Sequence, residues 1–261
     1  ITDKENTQEI KEKRGIVEFK NVSFRYADAE DAVLSDISFT ARPGETTAFI
    51  GSTGSGKTTL VNLIPRFFDV TEGSITIDGV DIRDMKQHEL REMIGYVPQK
   101  GMLFSGDIKS NIAYGAEDKS FENIKGAAEV AQAEDFIMEK EEGFDAPVAQ
   151  GGTNVSGGQK QRLSIARALA KKAPIYIFDD SFSALDFKTD AALRKELKKS
   201  AGESTLLIVA QRISTIADAD QIIVLNEGRI AGKGTHKELM QTCGVYREIA
   251  SSQLDSGKGE M

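Results

Sequence analysis

The run Gly51-Ser52-Thr53-Gly54-Ser55-Gly56-Lys57-Thr58, with Thr59 behind it, spaces its glycines, lysine and hydroxyl as G-x-x-x-x-G-K-[ST]. Glycines so placed let backbone N–H groups turn inward on phosphate oxygens, and the start of a following helix adds its positive dipole end. Lys57 supplies a point charge for the outer phosphates, and the Thr58 hydroxyl is suited to ligate magnesium. That chemistry is the binding of a nucleoside triphosphate with Mg2+. A flexible Gly/Ser turn is the plain alternative, but here the motif joins a strand pattern to a helical one. Further on, "PIYIFD" (174–179) ends on Asp179, with Asp180 next to it. An unpaired buried charge costs on the order of several kcal/mol, so two carboxylates closing an apolar strand suggest a nearby cation rather than packing. Asp179 is the expected magnesium carboxylate, with a surface turn as the alternative.

Hydrophobic periodicity locates the elements that must position these groups. Strand patterns lie at 16–26, 36–41 and 46–51, the last running into the glycine turn, and a helical pattern follows at 57–67. Short strands at 74–77 and 94–97 flank a helix at 86–93. From about 106 to 170 the pattern turns helical, as in "SFENIKGAAEVAQAEDFIMEK", and reads as an inserted lobe. Strand patterns resume at 174–179, 204–210 and 221–234, the last a hairpin with a Glu-Gly turn, and helices at 188–200 and 236–250 close the chain. The simplest architecture is an α/β core (16–104 and 171–250) interrupted by a helical lobe (about 105–170), with 1–15 as linker and 251–261 as a tail.

Bulk properties narrow the class. Of 261 residues, 39% are hydrophobic and 28% charged, ordinary values for a globular protein. Asp and Glu number 41 against 33 Lys and Arg, a net charge of -8 with no basic block, which disfavours DNA or RNA as the main partner. Cys243 has no second thiol for a disulfide or a Cys-rich metal site, and a reducing, cytosolic setting fits. No apolar run approaches the roughly 20 residues of a membrane span. The opening "ITDKENTQEIKEKRG" has neither an initiator Met nor a signal-peptide apolar core, and reads as linker within a longer protein.

Upstream of the Asp179 strand stands "NVSGGQKQRLSIARAL" (154–169). With the glycine loop and the Asp-terminated strand in this order, the chain from about 17 to 250 resembles the nucleotide-binding domain of an ATP-binding cassette (ABC) transporter. The resemblance implies a P-loop NTPase core (RecA-like) with an N-terminal antiparallel β subdomain and an inserted helical subdomain. It also implies roles. Tyr26 would stack on adenine, and Gly51, Ser52, Thr53, Gly54, Ser55, Gly56, Lys57, Thr58 and Thr59 would cradle the phosphates. Gln99, in "YVPQKGMLFSGDIKSNI", would reach the metal and the γ-phosphate, so that Thr58, Gln99 and Asp179 surround Mg2+. Ser156, Gly157, Gly158 and Gln159 are the signature, and "SALD" (183–186) is the loop after Asp180.

Elementary chemistry is compatible with each role. An aromatic ring offers adenine a π-face, with a core tyrosine on a strand as the alternative for Tyr26. The SGGQ run precedes a helix at 159–171, so its N–H groups form a second anion cradle, while the "KQR" after it reads as a solvated helix face. Two cradles about a hundred residues apart do not obviously serve one phosphate tail. In the family the second caps ATP held by a partner, which implies a head-to-tail dimer around two nucleotides. "LFSGDIKSNI" resembles exporters, where that region abuts membrane domains. The implied partners are the transmembrane domains of the same transporter and a second nucleotide-binding domain, at the cytoplasmic face of the membrane.

Two positions depart from the family pattern. Asp180 stands where Glu usually acts as base or water-orienting group; one methylene retracts the carboxylate by about 1.5 Å, and misplacement near 1 Å can cost on the order of 100-fold in rate. Gln211, in "LLIVAQRIST", replaces the switch histidine and cannot carry an imidazolium charge. Gln150, in "VAQGGTN", stands where exporters often have Glu. Together the first two resemble the slow half of an asymmetric exporter heterodimer, in which Asp180, Gln211 and Gln99 form the catalytic set and the second domain is non-identical. A homodimer with ordinary turnover, a soluble ATPase acting on nucleic acid, and a module that clamps ATP without turnover remain alternatives.

Overall fold

The computed structural model describes residues 1–256. Strands β1 (Val17–Phe24) and β2 (Leu34–Ala41) lead into β3 (Thr46–Gly51), α1 (Lys57–Leu63), β4 (Glu72–Ile77), β5 (Val80–Asp81), α2 (Gln87–Glu92) and β6 (Ile94–Val97). The middle of the chain holds β7 (Gly106–Asp107), α3 (Ile108–Ile112), α4 (Phe121–Val130), α5 (Glu134–Met138), β8 (Pro147–Val148) and α6 (Gly157–Ala170). β9 (Ile175–Asp179), α7 (Phe187–Ser200), β10 (Thr205–Val209), α8 (Ile213–Ile216), β11 (Gln221–Asn226), β12 (Arg229–Gly234), α9 (His236–Thr242) and α10 (Gly244–Ser256) complete it.

Two principal sheets result. One is antiparallel in the order β2-β1-β4-β5; the other, in the order β12-β11-β3-β10-β9-β6, is parallel except for its β12 edge. The reason is legible in burial: β9 and β10 are buried at every position, as a parallel strand covered on both faces must be. Alternate residues feed two cores. Ile175, Ile177, Leu207 and Val209 pack with α1, α2 and the antiparallel sheet, through residues such as Leu60, Leu90 and Phe19. Tyr176, Phe178, Leu206 and Ile208 face the other way, onto Ile112, Ile124, Leu163 and Leu193 of the helical side. The β11–β12 hairpin turns at Glu227 and Gly228 with φ of 47° and 71°, a pair of left-handed residues that twists with the strands.

Several boundaries differ from expectation. The segment 121–138 breaks into α4 and α5 because Gln132 takes φ 57°, which no helix can continue through. The helix expected at 236–250 is two helices parted at Cys243, whose φ −113° and ψ 112° are extended. The second runs on to Ser256, so 251–256 is helix rather than tail, and residues 257–261 lie outside the described residues. The lobe is not wholly helical either, since β7 and β8 pair within it. Residues 3–15 are attached rather than loose. Asp3 accepts from the Gln87 amide and side chain at 3.1 and 3.0 Å, Lys4 pairs with Asp84, and the Gln8 N–H donates to the Asp84 carbonyl at 2.7 Å. Asp78 receives the Gly15 and Ile16 N–H groups at 3.0 and 2.9 Å, and Thr205 donates to the Gly15 carbonyl at 2.6 Å.

Candidate nucleotide site

β3, β10, β9 and β6 are neighbours, all parallel, and each delivers a polar side chain just past its C-terminal end. These are the glycine loop after β3, Gln211 after β10, Asp179 and Asp180 at the end of β9, and Gln99 after β6. Crevices at the carboxyl ends of parallel strands are where such sheets bind ligands. Here Gly51, Ser52, Thr53, Gly54, Gly56, Lys57, Thr58, Thr59, Gln99, Asp180 and Gln211 line one cleft of about 440 Å3. A cleft of about 1120 Å3 between α4 and α7 is larger but holds none of these residues.

The glycine loop is preformed. Gly56 caps α1 at φ 97° with no side-chain cap, and a Cβ there would lie 2.7 Å from Leu34 Cδ2, so no other residue fits without a shift. The first N–H groups of α1 have no intrahelical partner and are available to an anion. Lys57 donates to the carbonyls of Gly51 and Ser52, both at 2.8 Å, and to Ser55 Oγ at 3.3 Å. Burial lowers the Lys57 pKa, opposed by the charges of Asp180 and Asp179. The ammonium is therefore held inside its own loop, where phosphate oxygens would replace carbonyls.

Beneath the loop, Thr58 Oγ1 donates to Asp179 Oδ1 at 3.0 Å. Asp179 and Asp180 are only 2% and 7% exposed, and burial raises both carboxyl pKa values. For Asp179 the Thr58 bond and Lys57 pull down while the Asp180 charge pushes up; for Asp180 the bonds from Gln99, Ser183 and Gln211, and Lys57, pull down. Asp180 Oδ2 accepts from Gln211 Nε2 at 2.7 Å and from Gln99 Nε2 at 3.3 Å. Two desolvated carboxylates beside a hydroxyl suit a hard cation. Among the described residues no group of three or more His, Cys, Asp or Glu could hold a metal unaided. Such a donor set fits Mg2+ bound together with phosphate oxygens.

The other predicted residues lie around this centre. The Tyr26 and Thr59 hydroxyls share a hydrogen bond of 3.1 Å, and the Tyr26 ring packs edge-on to Phe24 and Phe68 while 36% of the residue stays exposed. Ser156 to Gln159 do not line the cleft. Ser156 caps α6 in a reciprocal box: its Oγ accepts from the Gln159 N–H at 3.2 Å, and Gln159 Oε1 accepts from the Ser156 N–H at 3.1 Å. Two N–H groups of the expected cradle are thus already paired, leaving those of Gly157 and Gly158.

The "KQR" reading needs correction. Gln161 is buried, accepts from the Gly101 N–H at 3.2 Å and donates to the Pro98 carbonyl at 3.4 Å, gripping the Gln99 loop from both sides. Arg162 lies 4.6 Å over the Phe136 ring and donates to the Gln132 carbonyl at 2.7 Å. A polar residue on a helix reads as solvated unless its long-range partner is known, which explains the miss. Ile249 and Gln253 of α10 also line the cleft and were not singled out. Their signal was spacing: Tyr246, Ile249, Ala250 and Gln253 form an i, i+3, i+4, i+7 stripe in which Gln253 is the polar exception.

A glycine loop at the carboxyl edge of this sheet, over a bonded Thr58–Asp179 pair, defines a P-loop NTPase fold with an added antiparallel β subdomain. The ABC transporter family pattern matches residues 34–183, and the chain belongs to that family. It is 48% identical over 242 residues, 92% of its length, to an uncharacterised ABC transporter ATP-binding protein of Mycobacterium tuberculosis (strain ATCC 25618 / H37Rv), covering 41% of that protein. It is 45% identical over 252 residues to a Bacillus subtilis (strain 168) protein provisionally named a multidrug export ATP-binding/permease protein, spanning 97% of this chain and 43% of the relative. A bacterial Atm1-family ABC exporter solved with ATP bound superposes with a TM-score of 0.92 at 40% identity, over 97% of this chain and 44% of that one. The chain thus spans less than half the length of these relatives. Among the described residues no helix is long and apolar enough to cross a membrane.

Proposed function

We propose that the chain is the ATP-binding and ATP-hydrolysing motor domain of an ABC exporter, and that its own catalytic site is slow. The observation that carries this reading is Asp180 Oδ2, bonded by Gln211 at 2.7 Å and Gln99 at 3.3 Å. Mg-ATP would sit with its phosphates in the glycine loop, Tyr26 against the base, and Thr58, Asp179 and Gln99 around the metal. When bound, Mg2+ neutralises charge on the outer phosphates. Lys57 would transfer its ammonium from loop carbonyls to phosphate, and Gln99 and Gln211 would hold the Asp180 carboxylate in one orientation.

A carboxylate occupied by two amides, one methylene shorter than the family's usual Glu, is poorly placed to orient water. Gln211 donates but does not exchange a proton at neutral pH. The SGGQ run would cap the nucleotide of a second domain in a head-to-tail dimer. Two weak catalytic positions beside an intact cradle favour a non-identical partner that supplies Glu and His to the competent site. Transmembrane domains of the same transporter would complete it at the cytoplasmic face of the membrane. The relative named for export and the exporter neighbour support the direction of transport.

Steady-state Mg-ATP hydrolysis of the chain beside the Asp180→Glu, Gln211→His double variant tests this. We expect the variant to turn over about 100-fold faster. Equal rates would return the reading to a homodimer with ordinary turnover.

A further inference from the structure

Gln211 is held by more than its own side chain. The segment that carries it, residues 211–213, is pinned at each position. Gln211 Nε2 donates to Asp180. Arg212 donates to the Ser183 carbonyl at 3.2 Å and lies 5.0 Å over the Phe187 ring, tying the segment to the loop after Asp180. Two backbone groups of the segment are held by a single side chain from far along the sequence. Gln253 Nε2 donates to the Gln211 carbonyl at 2.7 Å, and Gln253 Oε1 accepts from the Ile213 N–H at 2.8 Å.

A primary amide bonded to both a carbonyl and an N–H of one short segment fixes that segment's direction as well as its distance. α8 begins at Ile213 with no side-chain cap from Arg212, so the Ile213 N–H is one of the orphan donors of a helix start, and Gln253 satisfies it. Gln253 and its neighbour Ile249 line the same cleft as Gln211 and Asp180, so the C-terminal helix forms part of the wall there. Tyr246 and Ala250, buried on the same stripe, anchor α10 to the core and fix the reach of Gln253.

We infer that Gln253 is a positioning residue: through the backbone of residues 211–213 it aims the Gln211 amide at Asp180, making α10 a working part of the catalytic wall. This rests on the nucleotide-site reading above. It also gives α10 a route to the reaction, because any displacement of the helix reaches the Asp180 carboxylate through one intervening residue.

The test uses nucleotide-free protein first. Amide hydrogen exchange of Ile213 and the side-chain NH2 resonances of Gln211 are compared in wild type, Gln253→Ala, Gln253→Glu and, as a control on the exposed face of the same helix, Glu248→Ala. We expect Gln253→Ala to speed Ile213 exchange about tenfold and to move the Gln211 resonances, with β3, β9 and β10 unchanged. Gln253→Glu keeps an oxygen for the Ile213 N–H and should restore most of that protection, while Glu248→Ala should match wild type. With Mg-ATP, Gln253→Ala should lower kcat several-fold and leave KM within about twofold. Unchanged Ile213 exchange and Gln211 resonances in Gln253→Ala would overturn the inference. So would a uniform rise in exchange that Gln253→Glu does not reverse, the mark of a merely structural role. Failure of every protein to bind Mg-ATP would instead sink the nucleotide-site reading, and the exchange data would still decide the latch.

Discussion

Asp180 occupies the left-handed region at φ 49°, where Asp and Asn are the tolerated side chains, and its N–H donates to the Val209 carbonyl at 3.0 Å. The backbone is thus tied to β10 while the carboxylate is tied to Gln99 and Gln211. With its pKa raised by burial, the native state holds this proton more tightly than the unfolded chain does. Stability is therefore greatest below the ordinary carboxylate range and falls as pH rises through the raised value. Asp180→Asn, which keeps an oxygen for both amides and tolerates the same φ, should stabilise the nucleotide-free protein at neutral pH and raise its Tm. The gain should shrink as pH is lowered toward 4, because the wild-type carboxyl then protonates as well. Thermal melts of both proteins across that range check the sign. A gain that grew on acidification would mean that Asp180 is stabilised as an anion in the empty site.

At the level of elements, α6 joins two tasks. Its first turn is the SGGQ run, its second grips the Gln99 loop through Gln161, and Arg167 further along donates to the carbonyls of Asn111 and Met102 at 2.8 and 2.7 Å. Ser156→Ala removes half of the capping box and should cost about 1 kcal/mol in urea unfolding without any nucleotide, with Ser156→Asp restoring most of it. No loss in the empty protein would show that the box does not form. Much of this architecture was legible in sequence. Continuous burial wrote β9 and β10 as unbroken apolar runs, and the glycine loop announced the junction of β3 and α1. What stayed hidden were contacts without a period. Nothing local marks Gln161 as the clamp on Gln99, or Gln253 as the latch on Gln211. The split of the last helix at Cys243 and the docking of residues 3–15 depend on surfaces that exist only once the sheets have formed. The site was read as a set of types and spacings; the amide clamp on Asp180 is a matter of distances, which spacing does not contain.

At the scale of the whole molecule, the cleft belongs to the native state alone, because its lining comes from β3, β6, β9, β10 and α10 together. A ligand for it must stabilise the fold by mass action. Mg-ATP at about a hundred times its Kd should raise the unfolding free energy by about 2.7 kcal/mol. A chelator should remove part of that gain if Thr58 and Asp179 contribute through the metal. Melting curves over a nucleotide titration, with and without EDTA, measure both, and a transition indifferent to Mg-ATP would leave the cleft without its ligand. The attachment of residues 3–15 has a mechanical meaning of its own. The Gly15 carbonyl is held by Thr205, the first residue of β10, and the same strand leads at its other end to Gln211. Tension applied at the N-terminal end would not dissipate in a slack tether. It would be taken up in shear by the Asp3, Asp84 and Asp78 bonds and then delivered to the foot of a rigid rod beyond whose tip stands the Gln211 amide bonded to Asp180. Pulling on one end of this domain therefore loads the candidate nucleotide site along a single strand.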